Sequence, residues 1–385
     1  MRVGLIATSY PRFDGDPAGG FVAGHAAALR ALGHDVDVLA AGDGDGRVRG
    51  GSLFYTGGAP DALEAGGARV LASAASFSAR LYAAAALRVR RWDAIVAHWL
   101  APSAVVAAAL PTRAPLLAIA HGGDVFTLRR AGLLAPTLRA LLLRGARIAF
   151  VSAALRDLAL ASVDDRVRAR LADCSFVQPM GIDAARFAAL PRAPESPPII
   201  AVVARLVPIK GVDVAIDALA LARRRTGAHL VIAGDGPLRV ELAARARSLD
   251  LDVTFTGAVP THARDELLAR ASLVIVPSRP LVTAARAEGT PTIAPSRVAR
   301  TEGTPTIALE ALAAGVPVVA TRTGGLAELP SPPVVVVPPD DPRALATAIA
   351  DTLAMPPRAD VLRAAIRDLD WAVVATRLAP PLRDA

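Results

Sequence analysis

Three short stretches in the second half of the chain carry the residue types best suited to chemistry. In VVARLVPIKG, Arg205 follows an apolar run and Lys210, the sole lysine of the sequence, opens a helical pattern. A helix start offers unpaired N–H groups and the positive end of its dipole, so two cations there suit a diphosphate. An ammonium is also a compact charge, which fits a narrow phosphate pocket better than the planar fork of Arg. The same pair suits a solvated loop equally well in residue type. In VIAGDGPLR, Gly234 and Gly236 flank Asp235, which allows either a close backbone approach to a ligand or an ordinary strand-to-helix turn. In EGTPTIALEALAAGVPVVAT, Glu302 precedes the helix start made by Thr304, Pro305 and Thr306, and Glu310 falls in its first turns. A loop carboxylate there reaches sugar hydroxyls, and a helical one takes vicinal hydroxyls such as those of ribose.

These stretches must be held by a scaffold, and the hydrophobic pattern says which. Short apolar runs (VGLIAT, VDVLA, DAIVAHW, LLAIAHGGD, RIAFVS, CSFVQP) alternate with helical segments, then LPRAPESPP at 190–198 interrupts. The alternation restarts with IIAVVARLV, HLVIAGDGP, VTFTGAV, SLVIVPS, VPVVAT and VVVVP. Such alternation means βα units and parallel sheets. The expectation is two doubly wound α/β domains, 1–189 and 199–369, joined by a linker at 190–198, with a C-terminal helix at about 370–385 packing back on the first. A groove between them is the expected ligand site. A tandem duplication stands out: PSRPLVTAARAEGTPTIA at 277–294 is followed at once by PSRVARTEGTPTIA at 295–308. It reads as one inserted loop.

Composition limits the function classes. No apolar run reaches membrane-span length uninterrupted, and the N-terminus reads as a first strand and not a signal peptide, so a cytoplasmic protein is expected. The single cysteine, Cys174, excludes an internal disulfide and is read as a core residue of a strand. A net charge of +8 suits anionic partners. Nucleic acid is disfavoured, since no binding motif and few aromatics are present. The Arg-rich segments at 87–92 and 128–147 suit peripheral contact with an anionic membrane, or solvated helix faces. The first strand is followed by SYPRFDGDPAGG in place of GxGxxG, which argues against a nicotinamide oxidoreductase.

Taken together, VARLVPIKG, IAGDGP, FTGAV, EGTPTIALEALAAGVPVVAT and TGG resemble the retaining, nucleotide-sugar-dependent glycosyltransferases of family 4, which have the GT-B fold. The opening segment to VDVL, LLAIAHGGDVF and VQPMGIDAARF are similar to the family's first-domain segments, with Met180 where the family's pre-linker motif has Asn. The resemblance implies that Arg205 and Lys210 hold a donor pyrophosphate and that Glu310 binds its ribose. It implies that Glu302 and the amides from Thr304 through Pro305 and Thr306 to Ile307 surround the transferred sugar, with His121 contacting the sugar from the first domain. Gly19 and Gly20 would let their loop approach the donor phosphate, and the backbone at Val259 would hold the base. No metal and no cofactor are implied. The substrates are a UDP-, GDP- or other nucleoside-diphosphate sugar and a glycan, lipid-linked or small-molecule acceptor. His98 and Asp124 are candidate acceptor contacts, or else a strand-end histidine and a turn cap.

The reaction so implied loosens the sugar–phosphate bond first, with Arg205, Lys210 and helix N-termini stabilising the leaving diphosphate. Two rival readings stay open: a nucleotide-sugar 2-epimerase on the same fold, and a catalytically silent sugar-nucleotide-binding homologue in which the 277–294 repeat blocks the site.

Overall fold

A computed structural model describes residues 1–13, 15–16, 18–42, 47–49, 52–55, 62, 67–281, 300–301 and 303–379. Contacts divide the chain into two compact units, Met1–Asp183 with Asp368–Ala385, and Ala184–Arg367. The proline-rich segment 190–198 packs within the second unit, where the Ala193 N–H donates to the Ala269 carbonyl and Arg192 donates to the carbonyls of Leu268 and Ala269.

The first unit is built on strands β1 (Arg2–Ala7), β2 (Asp35–Ala41), β3 (Arg47–Val48), β4 (Ala94–His98), β5 (Leu116–Ala120), β6 (Arg147–Phe150) and β7 (Ser175–Val177). They form one parallel sheet in the order β3-β2-β1-β4-β5-β6-β7. β4 and β5 are buried along their whole length, as strands covered on both faces must be, which is why they read as unbroken apolar runs. Gly4 in β1 is glycine because the Trp92 ring lies on its backbone; a Cβ would sit 2.2 Å from that ring. Cys174 ends the helix Asp165–Cys174 and is half-buried, so it is not the strand core residue its apolar neighbours imply.

The second unit holds β8 (Ile199–Val203), β9 (His229–Ala233), β10 (Val253–Gly257), β11 (Leu273–Val276), β12 (Val318–Thr321) and β13 (Val335–Val337). Their order is β10-β9-β8-β11-β12-β13, again parallel. In both sheets the chain reverses its winding at one point, between β1 and β4 and between β8 and β11. Loops leaving the carboxyl ends of strands at such a point splay apart and leave a crevice.

Six helices matter to these crevices. In the first unit they are α1 (Gly20–Ala31), α2 (Gly123–Arg130) and, returning from the far end of the chain, α6 (Trp371–Arg377). In the second they are α3 (Val212–Thr226), α4 (Thr261–Arg270) and α5 (Thr306–Ala314). Among the described residues no helix is long and apolar enough to cross a membrane.

Candidate functional site

In the second unit the crevice is lined by the loops after β8, β9, β11 and β12. Arg205 lies exposed two residues past β8, and Lys210 is half-buried at the end of the short turn Pro208–Lys210 that leads into α3. Gly211, at φ 60°, caps α3 and must be glycine twice over: its backbone is left-handed, and a Cβ would meet the Pro277 carbonyl oxygen at 2.0 Å. The loop is pinned from β11, where the Arg279 N–H donates to the Ile209 carbonyl at 2.9 Å and its guanidinium bonds Asp213 at the start of α3 and Asp340.

Gly234 and Gly236 are required by a close contact within the protein. A Cβ on Gly234 would sit 1.8 Å from the Ala204 carbonyl oxygen, and one on Gly236 2.5 Å from that of Leu206. The glycines let the β9 loop lie against the Arg205 loop, where Leu206 donates to the Asp235 carbonyl and Leu238 to that of Leu206. They position Arg205 from behind. Val259 is half-buried in the loop between β10 and α4.

α5 starts after Pro305 with no side-chain cap, so its first amides at Thr306 and Ile307 point out of the helix end. Thr304 is seated against Gly325, where a Cβ would meet the Thr304 nitrogen at 2.6 Å, and its hydroxyl donates to the Gly325 carbonyl at 3.5 Å. Glu310 is buried one turn in, with Oε1 3.3 Å from Arg264 Nη1 and Oε2 without a hydrogen-bond partner among the described residues. Burial pushes the Glu310 pKa up against the pull of Arg264, while Asp265 adds to the rise. Arg264 was invisible as a partner in the sequence; it reaches Glu310 from α4, and Asp265 beside it pairs with Arg186. Glu302 and the 282–299 part of the repeat lie outside the described residues, so its expected place at the sugar and the repeat's effect on the site do too. The segment's flanks are described: Leu281 and Arg300 exchange backbone hydrogen bonds at 2.9 and 2.8 Å, so the chain leaves and returns at one point.

In the first unit Gly19, at φ 69°, caps α1 and packs on the Ser9–Tyr10 backbone, where a Cβ would approach to 2.6 Å. Gly20 is exposed and a Cβ there would meet nothing. The loop before them is tied by Asp16, which accepts from Arg12 Nε at 2.7 Å and from the amides of Arg12 and Ala18. Burial works against the Asp16 carboxylate, and these donors more than offset it, holding its pKa down.

Across the β1/β4 winding reversal runs a line of three imidazoles. His25 Nδ1 lies 3.0 Å from His98 Nε2, and His98 Nδ1 lies 3.0 Å from His121 Nε2. His25 comes from α1, His98 ends β4, and His121 follows β5. His25 and His98 have no exposed surface, and His121 alone keeps some, between the rings of Phe21 and Trp99 with centroids 4.9 Å away. Burial holds His25 down to about 4 and His121 to about 3, and pushes His98 well below the usual range. All three are therefore neutral at pH 7.

The acceptor roles of His98 and Asp124 need correction. Both His98 nitrogens are used by the other two rings, and Asp124 is buried with its carboxylate accepting from Leu100, His121 and Gly122 amides at 2.6, 3.1 and 2.9 Å. Asp124 is the turn cap, and burial raises its pKa in spite of those amides. His25 was missed in the sequence although a signal existed: it shares the buried face of α1 with Val22, Ala26 and Leu29, and a histidine on a core face needs a partner.

Comparison with known proteins agrees with this geometry. The model of "Glycosyl transferases group 1" matches residues 186–368 and that of "Glycosyltransferase Family 4" residues 19–169. A GDP-mannose-dependent alpha-(1-6)-phosphatidylinositol monomannoside mannosyltransferase of Mycolicibacterium smegmatis is 35% identical over 209 residues, covering 51% of this chain and 50% of that one. A glycogen synthase of Mycobacterium tuberculosis is 32% identical over 210 residues, covering 52% and 46%. The chain thus spans about half the length of the curated relatives it matches. Among solved structures, Anabaena HepE in complex with UDP superposes with a TM-score of 0.66 at 18% identity, covering 98% of each chain. Sucrose-phosphate synthase from Thermosynechococcus elongatus gives 0.65 at 22%, covering 98% and 97%. The chain belongs to glycosyltransferase family 4 and has the GT-B fold.

Proposed function

We propose that the protein is a retaining glycosyltransferase that moves a sugar from a nucleoside-diphosphate sugar to an acceptor hydroxyl. The observation that carries this reading is one of placement: Arg205 and the sole lysine Lys210 follow the carboxyl end of β8, and the uncapped start of α5, with Glu310 one turn inside, follows that of the neighbouring strand β11. Arg205, Lys210 and the amides of Thr306 and Ile307 take the growing charge of the leaving diphosphate. Glu302 and the backbone from Thr304 to Ile307 hold the transferred sugar. Glu310, its charge shared with Arg264, accepts from the donor ribose, and the Val259 backbone meets the base. The acceptor hydroxyl attacks on the face the diphosphate leaves, gives its proton to that phosphate, and the anomeric configuration is kept. The reaction as drawn uses no metal and no cofactor.

Relatives named for GDP-mannose favour GDP-mannose as the donor, and those named for phosphatidylinositol mannosides favour a lipid-linked acceptor. Exposed Leu133 and Leu143, at 52% and 79%, cap and end the helix Leu134–Leu143 in the Arg-rich 128–147 segment and support contact of this unit with an anionic membrane surface. The test is a panel of UDP-, GDP- and ADP-sugars in a thermal-shift assay, followed by transfer with the stabilising donor and assignment of the product anomer by NMR. Lys210→Ala should lower kcat by about 10²-fold, as for loss of one donor to transition-state charge. Normal transfer by Lys210→Ala, or an inverted product, refutes the assignment. Conversion of the donor with no acceptor present favours the epimerase, and nucleotide binding without transfer or hydrolysis favours the silent homologue.

A further inference from the structure

Trp99 holds a backbone conformation that its residue type disfavours. Just past the end of β4 it has φ 70° and ψ 134°, a region open to glycine and costly for a residue with a bulky side chain. Asp250 and Asp340 also have positive φ, 51° and 55°, but a short polar side chain tolerates that. An indole does not. The turn is locked on both sides: the Trp99 backbone N–H donates to the Ile119 carbonyl at 2.8 Å, its carbonyl accepts from the Ala104 N–H at 3.1 Å, and Asp124 accepts from the next amide, that of Leu100. Glycine would make each of these backbone bonds without strain, so the backbone gives no reason for the largest side chain to stand there.

The side chain gives one. Trp99, Phe21 from the first turn of α1 and His121 after β5 form a closed group of rings, with centroids 5.6 Å apart for Phe21 and Trp99 and 4.9 Å from each of these to His121. All three keep part of their surface open, whereas Trp92 and Trp371 are buried, at 4% and 8% exposure. The group stands at the winding reversal of the first sheet, where loops leave the carboxyl ends of β4 and β5, and all of its residues belong to the first unit. His121 is itself held by His98 at 3.0 Å, so the rings are fixed before anything binds. A partly open aromatic group in a crevice suits a ligand with one apolar face and a hydroxylated rim. A pyranose has such a face in its axial C–H groups and is about the size of one ring, whereas an acyl chain needs a long trough that three mutually touching rings do not make.

We propose that Trp99, braced by Phe21, is a sugar-stacking platform of the first unit, which receives the apolar face of one pyranose ring of the acceptor. That the ring belongs to an acceptor rests on the transferase reading. The stacking rests on the rings and the turn that holds them. The strained backbone is the device that turns the indole to this place, so the fold gives up stability at Trp99 to fix the ring before the sugar arrives.

The experiment uses the protein's own fluorescence: of the three tryptophans in the chain only Trp99 is not buried, so acrylamide quenching of the full-length protein reports it. The probes are the methyl glycosides of glucose, galactose and mannose. At least one should protect Trp99 from quenching and shift the emission to the blue. No protection by any of the three overturns the proposal, as does protection by octanol alone, which marks an acyl-chain site. In transfer, Trp99→Ala should raise the acceptor KM about tenfold with kcat and the donor KM nearly unchanged, and Trp99→Phe should bring it back near the wild-type value. An unchanged acceptor KM in Trp99→Ala also overturns the proposal, and quenching of the wild type decides the matter even where that variant does not fold. Trp99→Gly and Trp99→Ala both remove the ring and differ only in what the backbone tolerates, so the glycine variant should unfold at the higher urea concentration. The reverse order would show an unstrained turn and remove the reason given for the indole. Protection in a protein that transfers no sugar upholds the platform and counts against the transferase reading alone, and transfer without protection does the opposite.

Discussion

Lowering the pH should unfold the first unit before any comparable loss of carboxylate pairs. In the unfolded chain each histidine titrates near 6.5, whereas in the folded unit burial holds His25 to about 4, His121 to about 3 and His98 well below its usual value. A depressed histidine pKa means that below pH 6.5 the unfolded chain binds a proton the folded unit does not, so stability is full above that pH and falls as pH drops toward the folded values. Between pH 7.5 and 5.5 each such ring removes about 1.4 kcal/mol, or about 4 kcal/mol for the three, against a total of about 5–15 kcal/mol for an ordinary domain. Asp124 beside His121 acts the other way, since its raised pKa lets the folded unit take up a proton first. The comparison that isolates the histidines is therefore wild type against His25→Asn, in which Asp124 is common to both. The assay is urea unfolding followed by tryptophan fluorescence, because Trp92, Trp99 and Trp371 are the only tryptophans and all belong to the first unit. His25→Asn should lose about 1.4 kcal/mol less than wild type over that pH range. Equal losses in the two proteins would show that His25 is not kept neutral by the fold.

Gly24→Ala drives a methyl into the Trp371 indole and should cost about 1–3 kcal/mol, read as a lost near-ultraviolet tryptophan signal and faster proteolysis of α6. Gly211→Ala meets the Pro277 carbonyl in a left-handed backbone and should displace Lys210, abolishing thermal stabilisation by the donor while the second unit still unfolds cooperatively. Arg264→Met strips the buried Glu310 carboxylate of its cation and should destabilise the second unit by about 3 kcal/mol at pH 8. Because the Glu310 pKa is already raised and rises further without Arg264, that loss should shrink as pH falls and the group becomes neutral.

Much of the scaffold was legible because its central strands, in VGLIAT, DAIVAHW, LLAIAHGGD and SLVIVPS, are covered on both faces and so read as unbroken apolar runs. The Lys210 and Glu310 stretches were legible for a local reason: a helix start and a carboxylate within its first turns need only neighbouring residues to recognise. What stayed hidden depends on contacts far apart in sequence. The contact that makes Gly234 and Gly236 obligatory shows only when the β8 loop is seen pressed against them. Asp124 looks like a hydroxyl-binding carboxylate until the Leu100 amide, from a different strand's exit, is found on it. Arg264 reaches Glu310 from a helix 46 positions earlier, and no spacing rule joins them.

The same logic explains why the chain returns to its first unit after finishing the second. Ile182 and Asp370 bridge, the Ile182 backbone N–H donates to the Leu369 carbonyl and the Trp371 backbone N–H to that of Ile182, so the two segments of the first unit meet here. The second segment then fixes α6 on α1, and α6 supplies the Trp371 ring that stacks on His25. Cutting the chain after Arg367 should therefore do more than remove a surface helix. It uncovers the face of the His25 ring that Trp371 covers and lifts part of the burial that holds the His25 pKa down. The truncated protein should keep its parallel sheet by far-ultraviolet circular dichroism yet show a His25 pKa raised from about 4 in an NMR titration, and restoring 368–385 as a separate peptide should lower it again. A His25 pKa unchanged by the truncation would mean that its burial is complete within α1 and the sheet and owes nothing to the returning helix.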